Sequence, residues 1–231
     1  LIEPSIIDPF HLGRLWRDRG FARAACRAVR RWQPNLVESH ERLLCCDVYR
    51  ATDGVHAVWL AERLKRAAAA GRLAARISPH NQYLLNVERR LYASPWLRAV
   101  ICGSNMVRDE IRGNFAVPEA KLHVIYDAVD TDIFHPGLRA ERASIVERDG
   151  IDAAATVYLT MAADCARADL GSAIDALAQL PPPVHLVAIG ADPHAARHRA
   201  RAQARGVANR VTLVSNAVDL RPYYGAADVF V

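Results

Sequence analysis

Residues able to do chemistry gather at two strand ends early in the chain. Cys46 to Ala51 reads as a strand, and Thr52-Asp53-Gly54-Val55-His56 follows it. Polar side chains and a glycine at the carboxyl end of a strand are where open α/β sheets place ligands. Leu36 to His40 reads as another short strand, running into the polar turn His40-Glu41-Arg42. A carboxylate such as Asp53, or an imidazole such as His40 or His56, can orient or deprotonate a hydroxyl. Arg42 adds a fixed positive charge. Each of these also has a structural reading, as a turn former or a partner inside the fold. His185, His194 and His198 do not have metal-ligand spacing, and no metal is expected there.

The elements that must position these residues alternate in type. A basic helix spans about 11 to 33, with Leu12, Leu15, Trp16, Cys26, Val29 and Trp32 as a rough apolar stripe. Such a stripe reads as core-facing, and a basic amphipathic helix also admits a membrane surface. Helices are predicted from about Val58 to Ala70 and from about Asn81 to Tyr92. Ala99 to Cys102 is a strand, Asn105 to Phe115 a helix, and Leu122 to Tyr126 a strand. An acidic turn, Asp127 to Pro136, leads to a charged helix from about Leu138 to Arg148. A second alternation follows: strand Thr156 to Met161, helix Leu170 to Leu180, strand Val184 to Ile189, helix Pro193 to Arg205, strand Arg210 to Ser215, helix Val218 to Ala226, and a strand opening at Val229. The pattern predicts α/β units with parallel sheets and right-handed crossovers.

The 231 residues carry a net charge of +5, with 52% hydrophobic and 24% charged residues. That composition is ordinary for a globular protein. Much of the arginine falls in helical runs, Arg14 to Arg31 and Arg197 to Arg205, whose plain reading is a solvated helix face. A basic balance also suits nucleic acid, an anionic membrane or a phosphorylated substrate. No zinc finger, aromatic RNA-binding strand or helix-turn-helix supports nucleic acid. No apolar run of about 18 residues occurs, so no membrane-spanning helix is expected. The five cysteines, Cys26, Cys45, Cys46, Cys102 and Cys165, are odd in number and contain no C-x-x-C. They read as reduced thiols of a cytoplasmic protein.

The run from Ala99 to Pro136 resembles the middle of the retaining glycosyltransferases of family 4. It carries Ser104, Val117-Pro118-Glu119, Lys121, Val124-Ile125, Val129-Asp130 and Phe134-His135-Pro136. The family's entry into its second domain commonly reads I-P-N-G-V-D-x-x-x-F-x-P. Here it is Ile125-Tyr126-Asp127-Ala128-Val129-Asp130-Thr131-Asp132-Ile133-Phe134-His135-Pro136. Gly206 to Leu213 and Leu220 to Val231 match the family's G-V … V-x-F … Y-x-A-A-D-V-F-V run. Asp47 to His56 looks like the subgroup that builds the core of bacterial lipopolysaccharide. The resemblance implies a GT-B fold: two Rossmann-like domains facing a cleft, an N-terminal one over 1–135 and a C-terminal one over 136–231. Both are expected to be incomplete, the first without its start and the second without its end. The family's Gly-rich loop would fall before Leu1 and its pair of glutamates after Val231.

The function implied is transfer of a hexose from a nucleotide-sugar to a lipid-linked or oligosaccharide acceptor, with retention, in cell-envelope polysaccharide or lipopolysaccharide synthesis. The nucleotide-sugar is a substrate, and neither cofactor nor metal is expected. Asp53 takes the catalytic place, with His40, Arg42 and His56 on the acceptor side. On the donor side Arg167 falls on a basic position of the phosphate loop, and the nucleotide base falls beside Ser215, Asn216 and Ala217. The loop departs from the family: Ala168 stands for a lysine and Asp169 for a glycine, and Asp164 adds charge. With the family's Gly-rich loop and pair of glutamates expected outside the sequence, the isolated chain is expected to turn over little. Expected partners are the nucleotide-sugar, a glycolipid or oligosaccharide and a peripheral membrane surface, with a cytoplasmic location at the inner membrane face. The alternative is a non-catalytic relative that binds a nucleotide-sugar or a partner protein. A dehydrogenase is disfavoured, because no G-x-G-x-x-G follows a predicted strand.

Overall fold

The computed structural model describes residues 3–65, 67–161, 170–190 and 194–231. The chain packs as two compact units, Leu1–Ala128 and Val129–Val231. The segment 129–135, expected in the first domain, belongs to the second unit, where Phe134 meets the ring of Tyr224 edge-on at 5.6 Å.

The first unit opens with α1 (Gly13–Trp32). It continues through β1 (Glu38–Ser39), β2 (Val48–Ala51), α2 (His56–Lys65), α3 (Ala69–Ile77), α4 (Pro79–Tyr92), β3 (Ala99–Cys102), α5 (Asn105–Asn114) and β4 (Leu122–Val124). The four strands pair in parallel in the order β1-β2-β3-β4. Alternation along each strand sends Tyr49, Ala51, Val100 and Cys102 to one face, where they are buried. Leu91 and Tyr92 of α4 and Val107 and Ile111 of α5 close over that face. Ser104 caps α5 by accepting the Val107 N–H at 3.2 Å, satisfying one of the free donors of the first turn.

The attachment of α1 differs from the expected apolar stripe. Its one buried residue is Ala25, and Trp16 and Trp32 are each 56% exposed. Polar and covalent links hold it instead. Asp18 Oδ2 lies 2.8 Å from His80 Nε2 of α4. Cys26 is disulfide-bonded to Cys45, which corrects the expectation of reduced cysteines throughout. An odd count without C-x-x-C argues against a metal site, but it is silent on which cysteines meet in space. These two have Cα atoms 5.7 Å apart, inside the range that a disulfide spans. Cys46 and Cys102 are free and buried, and Cys165 lies outside the described residues.

The second unit contains α6 (Arg142–Arg148), β5 (Thr156–Met161), α7 (Leu170–Leu177), β6 (Val184–Ile189), α8 (Ala195–Ala204), β7 (Val211–Val214), α9 (Arg221–Ala226) and β8 (Val229–Phe230). The sheet is parallel in the order β7-β6-β5-β8. β6 is central and is buried along almost its whole length. Leu186 and Ala188 face α7 and α8, whereas Val187 and Ile189 face α6 and α9. Helices on both faces explain why β5 and β6 read as continuous apolar runs rather than alternating ones.

Two aspartates of the quoted motifs do structural work in this unit. Asp130 Oδ1 accepts the N–H of Asp132 at 2.9 Å and that of Ile133 at 3.3 Å, folding the acidic turn on itself. Asp228 accepts the Val157 N–H at 2.8 Å, Arg142 at 3.0 Å and Arg139 at 2.6 Å, and so locks β5 to α6 and the end of α9. Burial by itself would push the Asp228 carboxyl up. The Val157 N–H and the two guanidinium groups outweigh it and hold the carboxyl below the ordinary aspartate range. A carboxylate depressed in the folded state contributes stability that is complete above about pH 4 and drains away as pH falls below it. Asp228→Asn should therefore destabilise the protein at pH 7. Its deficit relative to wild type should shrink in urea titrations at pH 3. A deficit that is the same at both pH values would refute the role of its charge.

Among the described residues, no helix is long and apolar enough to cross a membrane.

Candidate functional site

The turn after β2 is built around the N-terminus of α2. Gly54 adopts φ +72°, the left-handed region that favours glycine, and a Cβ there would lie 2.9 Å from Glu110 Oε2. The glycine lets the carboxylate of α5 reach past it, and Glu110 Oε2 accepts the Val55 N–H at 3.0 Å. Glu88 of α4 accepts the next donor, the His56 N–H, at 2.9 Å through Oε1 and 3.1 Å through Oε2. Two carboxylates thus meet the positive end of α2 and satisfy its free N–H groups.

Glu88 is 1% exposed and carries a second load. Its Oε1 accepts from Arg42 Nε at 3.0 Å, and the Arg42 side chain is 18% exposed. Arg42 and His56, both predicted on the acceptor side, are therefore brought together by a third residue. The Arg42 guanidinium serves the fold through this buried pair. The His56 ring stacks on Trp59 with centroids 5.4 Å apart, and its Nε2 is buried without a hydrogen-bond partner among the described residues. Burial first, then the charge of Arg42, lowers the affinity of the imidazole for a proton, and Asn81 partly offsets both. The ring is accordingly neutral at pH 7.

Asp53 lies exposed in the bend between β2 and α2. Its charge is felt by the Tyr49 phenol beneath, which burial chiefly, and then Glu88, Asp53 and Glu41, push up to about 12 against the pull of Arg42. His40 belongs to a different group. It is exposed, 4.0 Å from Glu38 Oε1, and Glu38 also accepts from Arg50 at 3.3 Å. Arg50 in turn lies 3.9 Å from Asp127. The four predicted residues of this unit therefore divide: Arg42 and His56 share Glu88, Asp53 stands on the turn they support, and His40 sits on the Glu38–Arg50 pair.

In the second unit Ser215, Asn216 and Ala217 follow the carboxyl end of β7. Ser215 and Asn216 are exposed, and Ala217 packs against the core. Arg167, with Asp164, Ala168 and Asp169, lies outside the described residues. Among the described residues, no group of three His, Cys, Asp or Glu side chains is placed to hold a metal ion.

Glu88 and Glu110 were missed by sequence reasoning. A signal for Glu88 existed: it falls on the same helical face as Leu84 and Leu91, where a carboxylate is core-directed and must be paired.

The model of Glycosyltransferase Family 4 matches residues 1–133, which is more than half of the chain and includes the whole Glu88-centred turn. The chain belongs to this family. No curated protein matches this family 4 chain in sequence. Solved structures do match in fold. WaaG, a glycosyltransferase involved in lipopolysaccharide biosynthesis, superposes with a TM-score of 0.77 at 17% identity, over 98% of this chain and 60% of WaaG. A glycosyltransferase from Rickettsia africae gives 0.55 at 15% identity, over 97% of this chain and 58% of that one. HepE of Anabaena in complex with UDP-glucose gives 0.56 at 17% identity, over 93% of this chain and 50% of HepE. The family 4 chain thus has the GT-B fold and spans between half and 60% of the length of these structures.

Proposed function

We propose that the protein transfers a hexose from a nucleotide-sugar to a lipid-linked or oligosaccharide acceptor with retention, in synthesis of cell-envelope polysaccharide or lipopolysaccharide. Family membership over residues 1–133 carries the reading. The UDP-glucose and UDP held by HepE support a uridine nucleotide-sugar as donor, and the lipopolysaccharide role of WaaG supports the pathway. In this proposal the first unit presents the acceptor and the second holds the donor. Asp53 orients or deprotonates the acceptor hydroxyl from a turn that Glu88 and Glu110 hold in place. His56 shapes the same turn from within, and His40 meets the acceptor further along the sheet edge. Ser215, Asn216 and Ala217 face the nucleotide base, and Arg167 meets the diphosphate. No metal is invoked. Work on a lipid-linked acceptor places the protein at the inner face of the cytoplasmic membrane, as a peripheral protein.

The test uses the product of the complete gene, with UDP release measured on lipid-linked acceptors. Asp53→Asn should lower kcat by about 10²- to 10⁴-fold while UDP-glucose binding stays unchanged. An undiminished kcat would remove Asp53 from the mechanism. A second reading, a relative that binds without turnover, is favoured by Ala168 and Asp169 in place of the family's lysine and glycine. Binding of UDP-glucose with no transfer, and no gain of transfer in Ala168→Lys, would select it.

A further inference from the structure

We infer that the cavity between α1 and α4 of the first unit is a binding site for a compact phosphoanion, a diphosphate or a pair of phosphomonoesters. The cavity holds about 680 Å³, the size of an ordinary small-ligand site. Arg19, Arg23, Arg27 and Arg30 line it from α1, and Arg90 lines it from α4. The spacing along α1 puts all four on one side of the helix. Tyr83 adds a hydroxyl to the same wall, close enough to Arg19 and Arg23 for their charges to act on it.

None of these five arginines forms an ion pair among the described residues. The nearby carboxylates are already engaged: Asp18 by Arg17 and His80, and Glu88 by Arg42 and the His56 N–H. Like charges one helical turn apart repel each other. The stripe is therefore an unfavourable arrangement until an anion enters. The positions hold arginine throughout, and the planar guanidinium fork matches two phosphate oxygens at once. The wall is also fixed in place. Cys26, inside the stripe, is disulfide-bonded to Cys45, and both line the cavity, so the backbone of α1 is tethered at this wall.

A soluble phosphoanion and a lipid headgroup share this chemistry, and two arms of one experiment separate them. In the first, sodium pyrophosphate is titrated into the chain by calorimetry at constant ionic strength. In the second, the chain is sedimented with vesicles of phosphatidic acid, whose headgroup is a phosphomonoester, in phosphatidylcholine. Both use wild type, Arg23→Gln/Arg27→Gln and the charge-keeping Arg23→Lys/Arg27→Lys. These side chains are exposed, and circular dichroism checks that the variants fold. Wild type should bind in at least one arm, the first naming a soluble ligand and the second a headgroup. The Gln variant should bind roughly tenfold more weakly or worse, and the Lys variant should also weaken, because the fork is lost. Uridine, which carries no phosphate, titrated in parallel should give the same result for all three proteins, so that a failure at the donor site is distinguishable from a failure here. Three results overturn the inference: no saturable binding in either arm, binding that is unchanged in the Gln variant, or a Lys variant as good as wild type, which would mean attraction by net charge alone.

Discussion

Replacing Glu88 with alanine should cost the first unit about 3–5 kcal/mol, the usual penalty for removing one partner of a buried ion pair. The carboxylate is 1% exposed and does two things at once. It neutralises Arg42 at 3.0 Å, and it accepts the first N–H of α2 at 2.9 Å. Its removal strands a mostly buried guanidinium and an unsatisfied donor at the positive end of a helix. Glu88→Gln keeps an acceptor for the His56 N–H but leaves Arg42 without a counter-charge, so its loss should be smaller. Adding Arg42→Met to Glu88→Gln should recover much of that loss, since the stranded charge is then gone. Urea unfolding of wild type, Glu88→Gln, Arg42→Met and the double variant closes a double-mutant cycle. A Glu88→Ala loss below about 1 kcal/mol would mean that water or another side chain satisfies Arg42, and the account of the turn would fail.

What could be read in advance follows from where each interaction reaches. β5 and β6 match their predicted bounds, Thr156–Met161 and Val184–Ile189, because central strands covered on both faces leave an uninterrupted apolar run. The Asp130 turn and the Asp228 lock were visible as family motifs, although their physical roles needed the backbone partners. α1 was legible as a helix but not in its attachment. Apolar spacing predicted a buried stripe, whereas the wide rings of Trp16 and Trp32 stay exposed and a disulfide with the His80–Asp18 pair holds the helix. Cys26 and Cys45 are 19 residues apart, in a helix and a turn, and no local pattern pairs them. Arg42 was read from its place at a strand end, yet its partner lies 46 residues away on α4. Candidate site residues were thus chosen by position, while the carboxylates that hold their turn, buried Glu88 and half-buried Glu110, are known through tertiary contacts.

Gly225→Ala should destabilise the second unit by about 3 kcal/mol or more, against the direction that helix propensity gives. Gly225 lies inside α9, where alanine would ordinarily gain about 0.5–1 kcal/mol. A Cβ at this position would lie 2.6 Å from the Leu138 carbonyl carbon and closer still to its oxygen. Those atoms are backbone, in the short 3₁₀ segment Pro136–Glu141, and cannot rotate aside. The segment would have to lift from α9. With it would go the Phe134–Tyr224 contact and the Arg139 and Arg142 links to Asp228. Gly113 supplies the control. It also sits in a helix, α5, but nothing lies within 4 Å of its Cβ position. Gly113→Ala should therefore follow propensity and stabilise slightly. Opposite signs for the two variants in chemical denaturation would isolate the close approach as the cause. Equal and favourable effects would show that the 3₁₀ segment yields, and that α9 is not fixed by the segment leading into this unit.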